Sequence, residues 1–525
     1  MALAQLRCRA QVGLKAPPVT VEVHLGAGLP MFNIVGLPAA AVRESKERVR
    51  AALANSGFEF PAGRITVNLA PADLPKEGGR FDLAIAIGIL LGSGQLQPAL
   101  DLDGIEFYGE LALTGALRAV PGLLVAAQAA QSAQSSPRSG RALAIPAAGA
   151  AELALLPGVR AHAAASLLEV CGWLSRQREL PAPRDLPAAS AAAPDRLRQS
   201  LALADVCGQQ QGKRAVVVAA AGAHSLLLMG PPGCGKSMLA RRLPGLLPPL
   251  DTAALLEVAS IASLAPPEAA SGPAGAQAGE ARAPCIARPF RSPHHTTSAG
   301  AIVGGGTRVR PGEITLAHHG VLFLDELPEF DRRVLEALRE PLETGVVQVS
   351  RANLRAEYPA RFQLVAAMNP CPCGWFGDRL RRCRCTGKQR ELYRARLSGP
   401  LLDRLDLRLE LGSVTPEDLE LHRRATDRDD LDARAQAQVA AARACQQQRG
   451  QLNSRLDDAE LESLANPTPG ARRVLAAAQA KLGMSLRAQH RCLRVARTIA
   501  DMEQAARVEE HHAAEAVALR RALSD

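Results

Sequence analysis

The sequence predicts a multidomain α/β protein with a parallel-sheet core and a helical C-terminal region. Three observations carry that expectation. At 525 residues the chain exceeds what one hydrophobic core can organise, since cores stop growing near about 250–300 residues. In the middle of the chain, short apolar runs alternate with helical segments, the rhythm of strands joined by crossover helices. After Thr415 every apolar pattern has helical spacing and no strand candidate remains.

Taken in order, residues 1–175 mix strand-like alternation ("VTVEVHL", "RITVNLA") with helix-like segments such as "AVRESKERVRAALANSG", the pattern of an α/β or α+β domain. Residues 176–196, "RQRELPAPRDLPAASAAAPDR", are rich in Pro, Ala and charge without apolar period and read as a linker. Residues 197–411 form the alternating core, interrupted at 265–284 by "APPEAASGPAGAQAGEARAP", which reads as a surface insertion. Residues 412–525 are the helical region, with "DARAQAQVAAARACQQQ" and "RAQHRCLRVARTIADMEQAA" among its segments.

Composition narrows the function. Aromatic residues make up 3% of the chain, so base stacking is not a widespread binding device. The net charge of +10 suits a polyanionic partner, and suits an ordinary basic soluble protein equally well. The start "MALAQLRCRAQ" lacks the basic-then-apolar order of a signal peptide. The longest apolar run, "LAIAIGILLG", is half of a membrane span. Eleven cysteines, odd in number and scattered apart from one quartet, do not make a disulfide framework. A reduced, cytoplasmic protein without membrane contact is expected.

The strongest motif is "LLLMGPPGCGKSM". A short apolar strand feeds a loop of Gly230, Pro231, Pro232, Gly233, Cys234 and Gly235, then Lys236, Ser237 and Met238 open a helix. This is G-x-x-x-x-G-K-[ST] in strand–loop–helix context. Glycines let successive N–H groups turn onto the phosphates of ATP, and the helix N-terminus adds partial positive charge. Lys236 reaches the β- and γ-phosphates and Ser237 holds Mg²⁺. In "GVLFLDELPEF" a buried strand ends at Asp325, which completes the Mg²⁺ shell, and Glu326, which activates the attacking water. Asn369 ends the apolar run "FQLVAAMN", where a polar side chain sits beside the γ-phosphate. Arg404 and Arg487 lie where a guanidinium can stabilise charge on the transferred phosphoryl, one of them across a subunit boundary.

Four cysteines, Cys371, Cys373, Cys383 and Cys385, form two C-x-C pairs nine residues apart. They are candidate Zn²⁺ ligands for a structural clip, although structural sites usually use C-x-x-C. The pairs His294-His295 and His318-His319 are not expected to bind metal, because adjacent histidines point apart and no carboxylate spacing supports them. The segment "VVQVSRANLRAEYPARF" reads as a β-hairpin, with Arg351 and Arg355 as candidate DNA phosphate contacts and Arg308 and Arg310 as weaker ones. Arg487, Arg491 and Arg494 share a helical face, expected to be the solvated side of an amphipathic helix.

These residues together resemble the magnesium-chelatase-like AAA+ ATPases of the ComM/YifB type. The likeness runs through "GLPAAAVRESKERVRAAL", "VNLAPADLPKEGGRFDLAIAIGIL", "FRSPHHTTSAGAIVGGG", "PGEITLAHHGVLFLDELPEF", "YPARFQLVAAMNPCPCG", "SGPLLDRLDL" and "SLRAQHRCLRVARTIADM". The resemblance implies Walker A at Gly230–Ser237, Walker B at Asp325 and Glu326, sensor 1 at Asn369, an arginine finger acting in trans at Arg404, and sensor 2 at Arg487 on a helical lid. It implies a homo-hexameric ring working as a branch-migration helicase in natural transformation, on single-stranded or branched DNA. A protein-remodelling ATPase similar to the magnesium chelatase motor subunit is the alternative. The first domain resembles the Lon-protease fold (ribosomal S5 domain 2-like). Arg80 and Leu124 occupy the places of the serine and lysine of the Lon dyad, so peptidase activity is not expected.

Overall fold

The computed structural model describes residues 2–132, 141–183, 201–265, 288–305, 310–351, 354–378, 380–424 and 428–521. Most of the segment read as a linker, and the low-complexity insertion from residue 266 onward, lie outside the described residues, as does Arg308.

The N-terminal part is built on a mixed seven-stranded sheet. Its spatial order is Met31–Val35, Arg64–Ala70, Pro18–Gly26, Ala2–Arg9, Ile105–Phe107, Ala142–Pro146 and Ala161–Ala164. Strands such as Arg64–Ala70 alternate buried and half-exposed residues, so one face packs inward. Helix Asp82–Gly92, apolar after its first residue, covers that face, nearly every residue buried. Gly88 lets it approach, because a Cβ there would lie 2.5 Å from Val23 Cγ2. Arg80, just ahead of this helix, is buried, and its guanidinium donates to the carbonyls of Arg9 and Pro121. Leu124 is fully buried in helix Leu123–Ser132. This part docks on the core: Gly122 N–H donates to Ser263 O at 2.9 Å, and Ser260 Oγ to Gln128 Oε1 at 3.1 Å.

The core sheet has five strands, all parallel, in the order Phe290–Arg291, Val321–Leu324, Gln363–Met368, Leu226–Met229, Leu407–Glu410. Each of the three central strands is buried on both faces, so its sequence is a continuous apolar run rather than an alternation. Parallel register puts the loops after Met229, Leu324 and Met368 at one edge of the sheet, where ligands of such sheets bind.

The helical C-terminal region packs on helix Gln210–Gly222 and on the opposite edge, where the strands begin. Helix Arg428–Gln448 sends the Gln446 amide to Ala221 O at 2.9 Å and the Arg443 guanidinium to Ala220 O at 2.7 Å. Helix Leu486–Met502 meets His224 through the Thr498 hydroxyl at 2.7 Å. At this junction Asp406 is buried and accepts from Arg491, from Ser225 N–H at 3.1 Å, and pairs with His224 at 3.4 Å. Burial alone would push its carboxyl up, but Arg491 and His224 hold it well below the usual carboxylate range. Asp406→Ala should therefore destabilise the core by about 3–5 kcal/mol, the cost of stranding a buried partner, read as a lower midpoint in urea at pH 7. Because the folded pKa is depressed, the native contribution is full above the unfolded carboxylate range near about pH 4 and fades as pH falls below it. The gap between wild type and variant should narrow on acidification.

The arginine stripe departs from expectation. Only Arg487 is substantially exposed; Arg491 is half-buried on Asp406, and Arg494 is buried on Leu456 O at 2.7 Å and on Asp458. Arginine carries enough stem to cross an apolar contact and enough donors to satisfy carbonyls beneath it, so a polar helical face need not be a wet one. Among the described residues no helix is long and apolar enough to cross a membrane.

Candidate nucleotide site

Strand Leu226–Met229 delivers the loop Gly230–Gly235, and helix Lys236–Leu246 leaves it. Gly233 and Gly235 adopt left-handed φ of +80° and +94°, the turn only glycine makes without strain. At Gly230 a side chain has no room, since a Cβ would meet Leu411 O at 2.6 Å. The buried Lys236 ammonium donates to Gly230 O at 2.7 Å, Pro231 O at 2.8 Å and Asn369 Oδ1 at 3.2 Å. Burial pulls its pKa below the ordinary lysine value, with Cys234 and Asp325 pulling the other way. Cys234 is buried under the loop and Met238 is exposed on the helix.

Ser237 Oγ donates to Asp325 Oδ2 at 2.7 Å, joining the helix start to the end of strand Val321–Leu324. One hydroxyl and one carboxylate oxygen at that separation are the donor pair a hard cation such as Mg²⁺ takes beside triphosphate. Glu326 follows with φ of +54°, left-handed for a non-glycine residue, and its exposed carboxylate is turned toward His295 Nδ1 at 3.2 Å. Lys236, Ser237, Asp325, Glu326 and Asn369 thus come from three neighbouring strand ends to one place.

Arg404 and Arg487 do not join them. Arg404 precedes strand Leu407–Glu410, whose Leu407 is in register with Leu226, so it lies at least a strand length, about 13 Å, from the chain's own phosphate loop. There Arg404 pairs with Glu343 at 2.7 Å, and Arg487 pairs with the same carboxylate oxygen. Glu343, and Val206 beside Gly235, had no signal in the sequence; folding alone brings them in, as it brings His295 to Glu326.

The histidine pairs correct an expectation. His318 and His319 do not point apart: both Nε2 atoms lie 2.8 Å from Glu257 Oε2, with rings 4.0 Å apart. The left-handed φ of +55° at His319 turns the second ring back alongside the first. A carboxylate does therefore complete the group. Metal is nonetheless disfavoured, because His318 Nδ1 accepts the Arg361 N–H at 2.9 Å. That bond fixes the proton on Nε2, which then donates to Glu257 and has no lone pair for a cation. His511, His512 and Glu503, missed in the sequence, repeat the pattern, with His512 Nδ1 accepting Glu509 N–H at 2.9 Å. His294 and His295 likewise lie side by side, with rings 4.1 Å apart and tilted by 34°.

The four cysteines do converge. Sγ separations are 3.4 Å for Cys371–Cys373, 3.7 Å for Cys371–Cys383 and 3.6 Å for Cys373–Cys383, with Cys385 completing the group. The expected hairpin forms from Val346–Arg351 and Leu354–Pro359. Val347, Val349, Ala356 and Tyr358 bury its root, while Arg355 and Glu357 share its exposed face. Arg310 is exposed on a two-residue strand.

A five-stranded parallel sheet, a glycine loop closing on a helix-opening lysine, and a serine–aspartate pair at the next strand define a P-loop nucleotide-binding core. Three family descriptions match successive parts of the chain: "Subunit ChlI of Mg-chelatase" at residues 21–137, "Magnesium chelatase, subunit ChlI" at 202–419, and "Magnesium chelatase, subunit ChlI C-terminal" at 415–520. Protein YifB of Salmonella typhimurium is 47% identical over 99% of this chain and 97% of its own length. Competence protein ComM of Haemophilus influenzae is 46% identical over 99% and 98%. The magnesium-chelatase 38 kDa subunit of Cereibacter sphaeroides is 28% identical over 31% of this chain and 51% of its own. The chain belongs to the YifB/ComM family of magnesium-chelatase-like ATPases.

Proposed function

We propose that this protein is an ATP-driven DNA motor, a homo-hexameric helicase or translocase that promotes branch migration in natural transformation or recombination in the cytoplasm. The observation that carries the ring reading is the separation of its arginines from its own phosphate loop. Arg404 and Arg487 sit together at the edge where strands begin, and Lys236, Ser237 and Asp325 at the edge where they end. A guanidinium that stabilises the transferred phosphoryl must then come from the next subunit.

In this reading Mg²⁺ is held by Ser237 and, through its shell, by Asp325, and it neutralises phosphate charge. Lys236 leaves the Gly230 and Pro231 carbonyls to bind the phosphates. Asn369 and Glu326 hold the attacking water, Glu326 taking its proton. Cofactors are ATP with Mg²⁺, and Zn²⁺ at the four thiolates. The name of the competence relative supports the role in transformation. The exposed Arg355 of the hairpin suits a phosphate backbone, while Glu357 on the same face limits how tightly it is gripped. Arg351→Ala with Arg355→Ala should weaken DNA binding about tenfold and lower the salt slope by up to about 2. A titration series from low to moderate salt reads both, and an unchanged slope removes the hairpin from the DNA path.

The N-terminal domain is read as Lon-like without peptidase chemistry, since a buried guanidinium and a leucine stand at the dyad positions. It serves assembly or DNA contact. The second reading, a protein-remodelling ATPase, is favoured by the match to the chelatase subunit. ATPase rates with and without branched DNA separate the two: acceleration by DNA supports the motor, and indifference to DNA with acceleration by a protein partner supports remodelling. Three-strand branch migration by wild type but not by Lys236→Ala tests the proposal as a whole.

A further inference from the structure

We propose that the zinc-binding cysteine knuckle is the fixed backing of the hydrolysis site, so that its metal content sets the rate of ATP turnover. The second half of this statement rests on the nucleotide-site reading above; the first half does not.

The sulfur geometry comes first. Zinc–sulfur bonds of about 2.3 Å in a tetrahedron put the sulfurs about 3.8 Å apart, whereas a disulfide brings them to about 2.0 Å. The separations of 3.4, 3.6 and 3.7 Å fit the tetrahedron and exclude the disulfide. The N–H of Cys385 donates to Cys383 Sγ at 3.4 Å, as backbone groups do around metal thiolates. Four thiolates around Zn²⁺ leave two negative charges, and Arg381, Arg382 and Arg384 stand exposed around them. Although structural sites usually use C-x-x-C, here each C-x-C pair supplies one edge of the tetrahedron and the other pair the opposite edge.

What the knuckle touches gives it a role. Gly374, at the turn between the two pairs, has left-handed φ of +84° and lies so close to the phosphate loop that a Cβ would be 2.6 Å from Pro232 Cδ. Its N–H closes the turn on Cys371 O at 2.9 Å. Cys371 stands two residues after Asn369, and Cys385 two residues before helix Gly387–Arg394. That helix returns to the start of the loop, where its buried Tyr393 lies beside the Asn369 backbone. The Asp378 carboxylate accepts from Ser413 at the entrance to the helical region, and the Arg390 guanidinium covers Phe376 at 4.2 Å. One metal ion thereby closes a loop whose two ends meet beside Asn369 and whose tip lies against Pro232. Without it, four neighbouring thiols offer no bond to keep that loop in one shape. Displacing a water-positioning group by a fraction of an ångström to one ångström costs up to about 100-fold in rate.

The test uses the full chain purified without added metal. Elemental analysis should find about one zinc per chain, and Cys383→Ser with Cys385→Ser should remove it. The double variant should lose at least about tenfold in kcat, with KM for ATP changing less. Should that variant fold poorly by circular dichroism, wild type is stripped with a nitrogen-donor chelator that takes zinc and leaves magnesium, then reloaded. Loss of kcat on stripping and its return with zinc support the proposal. Wild type containing no zinc overturns it, as does a zinc-free chain hydrolysing ATP at the wild-type rate. Zinc content is read without nucleotide, so its result stands apart from the ATPase reading.

Discussion

Arg404→Ala should lower kcat for ATP by about 10³-fold, the lower end of what a guanidinium at a transferred phosphoryl contributes. Nucleotide affinity should fall much less, because in the proposed ring the missing charge acts on the neighbour's phosphates in the transition state. The placement of Arg404 gives this a sharper form. Its side chain is nearly buried, paired with Glu343, and lies beyond the far edge of the sheet from its own Lys236. Mixing Arg404→Ala with Lys236→Ala should therefore restore hydrolysis. About a quarter of the seams in randomly mixed rings bring an intact phosphate loop against an intact arginine. No recovery on mixing, or a full rate from an isolated protomer, would falsify the shared site.

Lys236→Ala is expected to cost about 10²–10³-fold in turnover, the scale of losing one preorganised charged donor at a developing oxyanion. Here ATP binding should weaken as well. The ammonium is buried between Gly230 O, Pro231 O and Asn369 Oδ1. Removing it leaves those acceptors without their donor and the triphosphate without its nearest cation. A fluorescent ATP analogue reads the binding loss and phosphate release reads the turnover. Retention of both within about threefold would mean the phosphates lie elsewhere.

The legible part of this protein is local. Strand Leu226–Met229, its glycine loop and helix Lys236–Leu246 are twenty-one contiguous residues whose spacing alone predicts their geometry. The buried strands could be read because a sheet covered on both faces leaves continuous apolar runs. The hairpin was legible for the same kind of reason, through alternation and turn residues. Misreadings cluster where a polar residue finds a distant partner. The Arg491 and Arg494 face looked wet because the sequence does not show Asp406, Leu456 and Asp458 coming beneath it. His318 and His319 were expected to diverge because a regular backbone makes neighbours diverge, and one left-handed residue undoes that. Glu257, which both rings meet, is some sixty residues earlier in the chain, at |i−j| of 61 and 62.

Sequence alone determined the phosphate loop, the acidic strand end, the family and the presence of four paired cysteines, because each is a pattern of near neighbours whose chemistry follows from residue type and spacing. Tertiary structure decided which side of the sheet each arginine occupies, that Glu343 joins Arg404 to Arg487, and that the cysteine knuckle rests on Pro232. Those contacts join segments far apart in the chain through packing. Which carboxylate meets which guanidinium depends on how whole elements stack, and no local spacing encodes it.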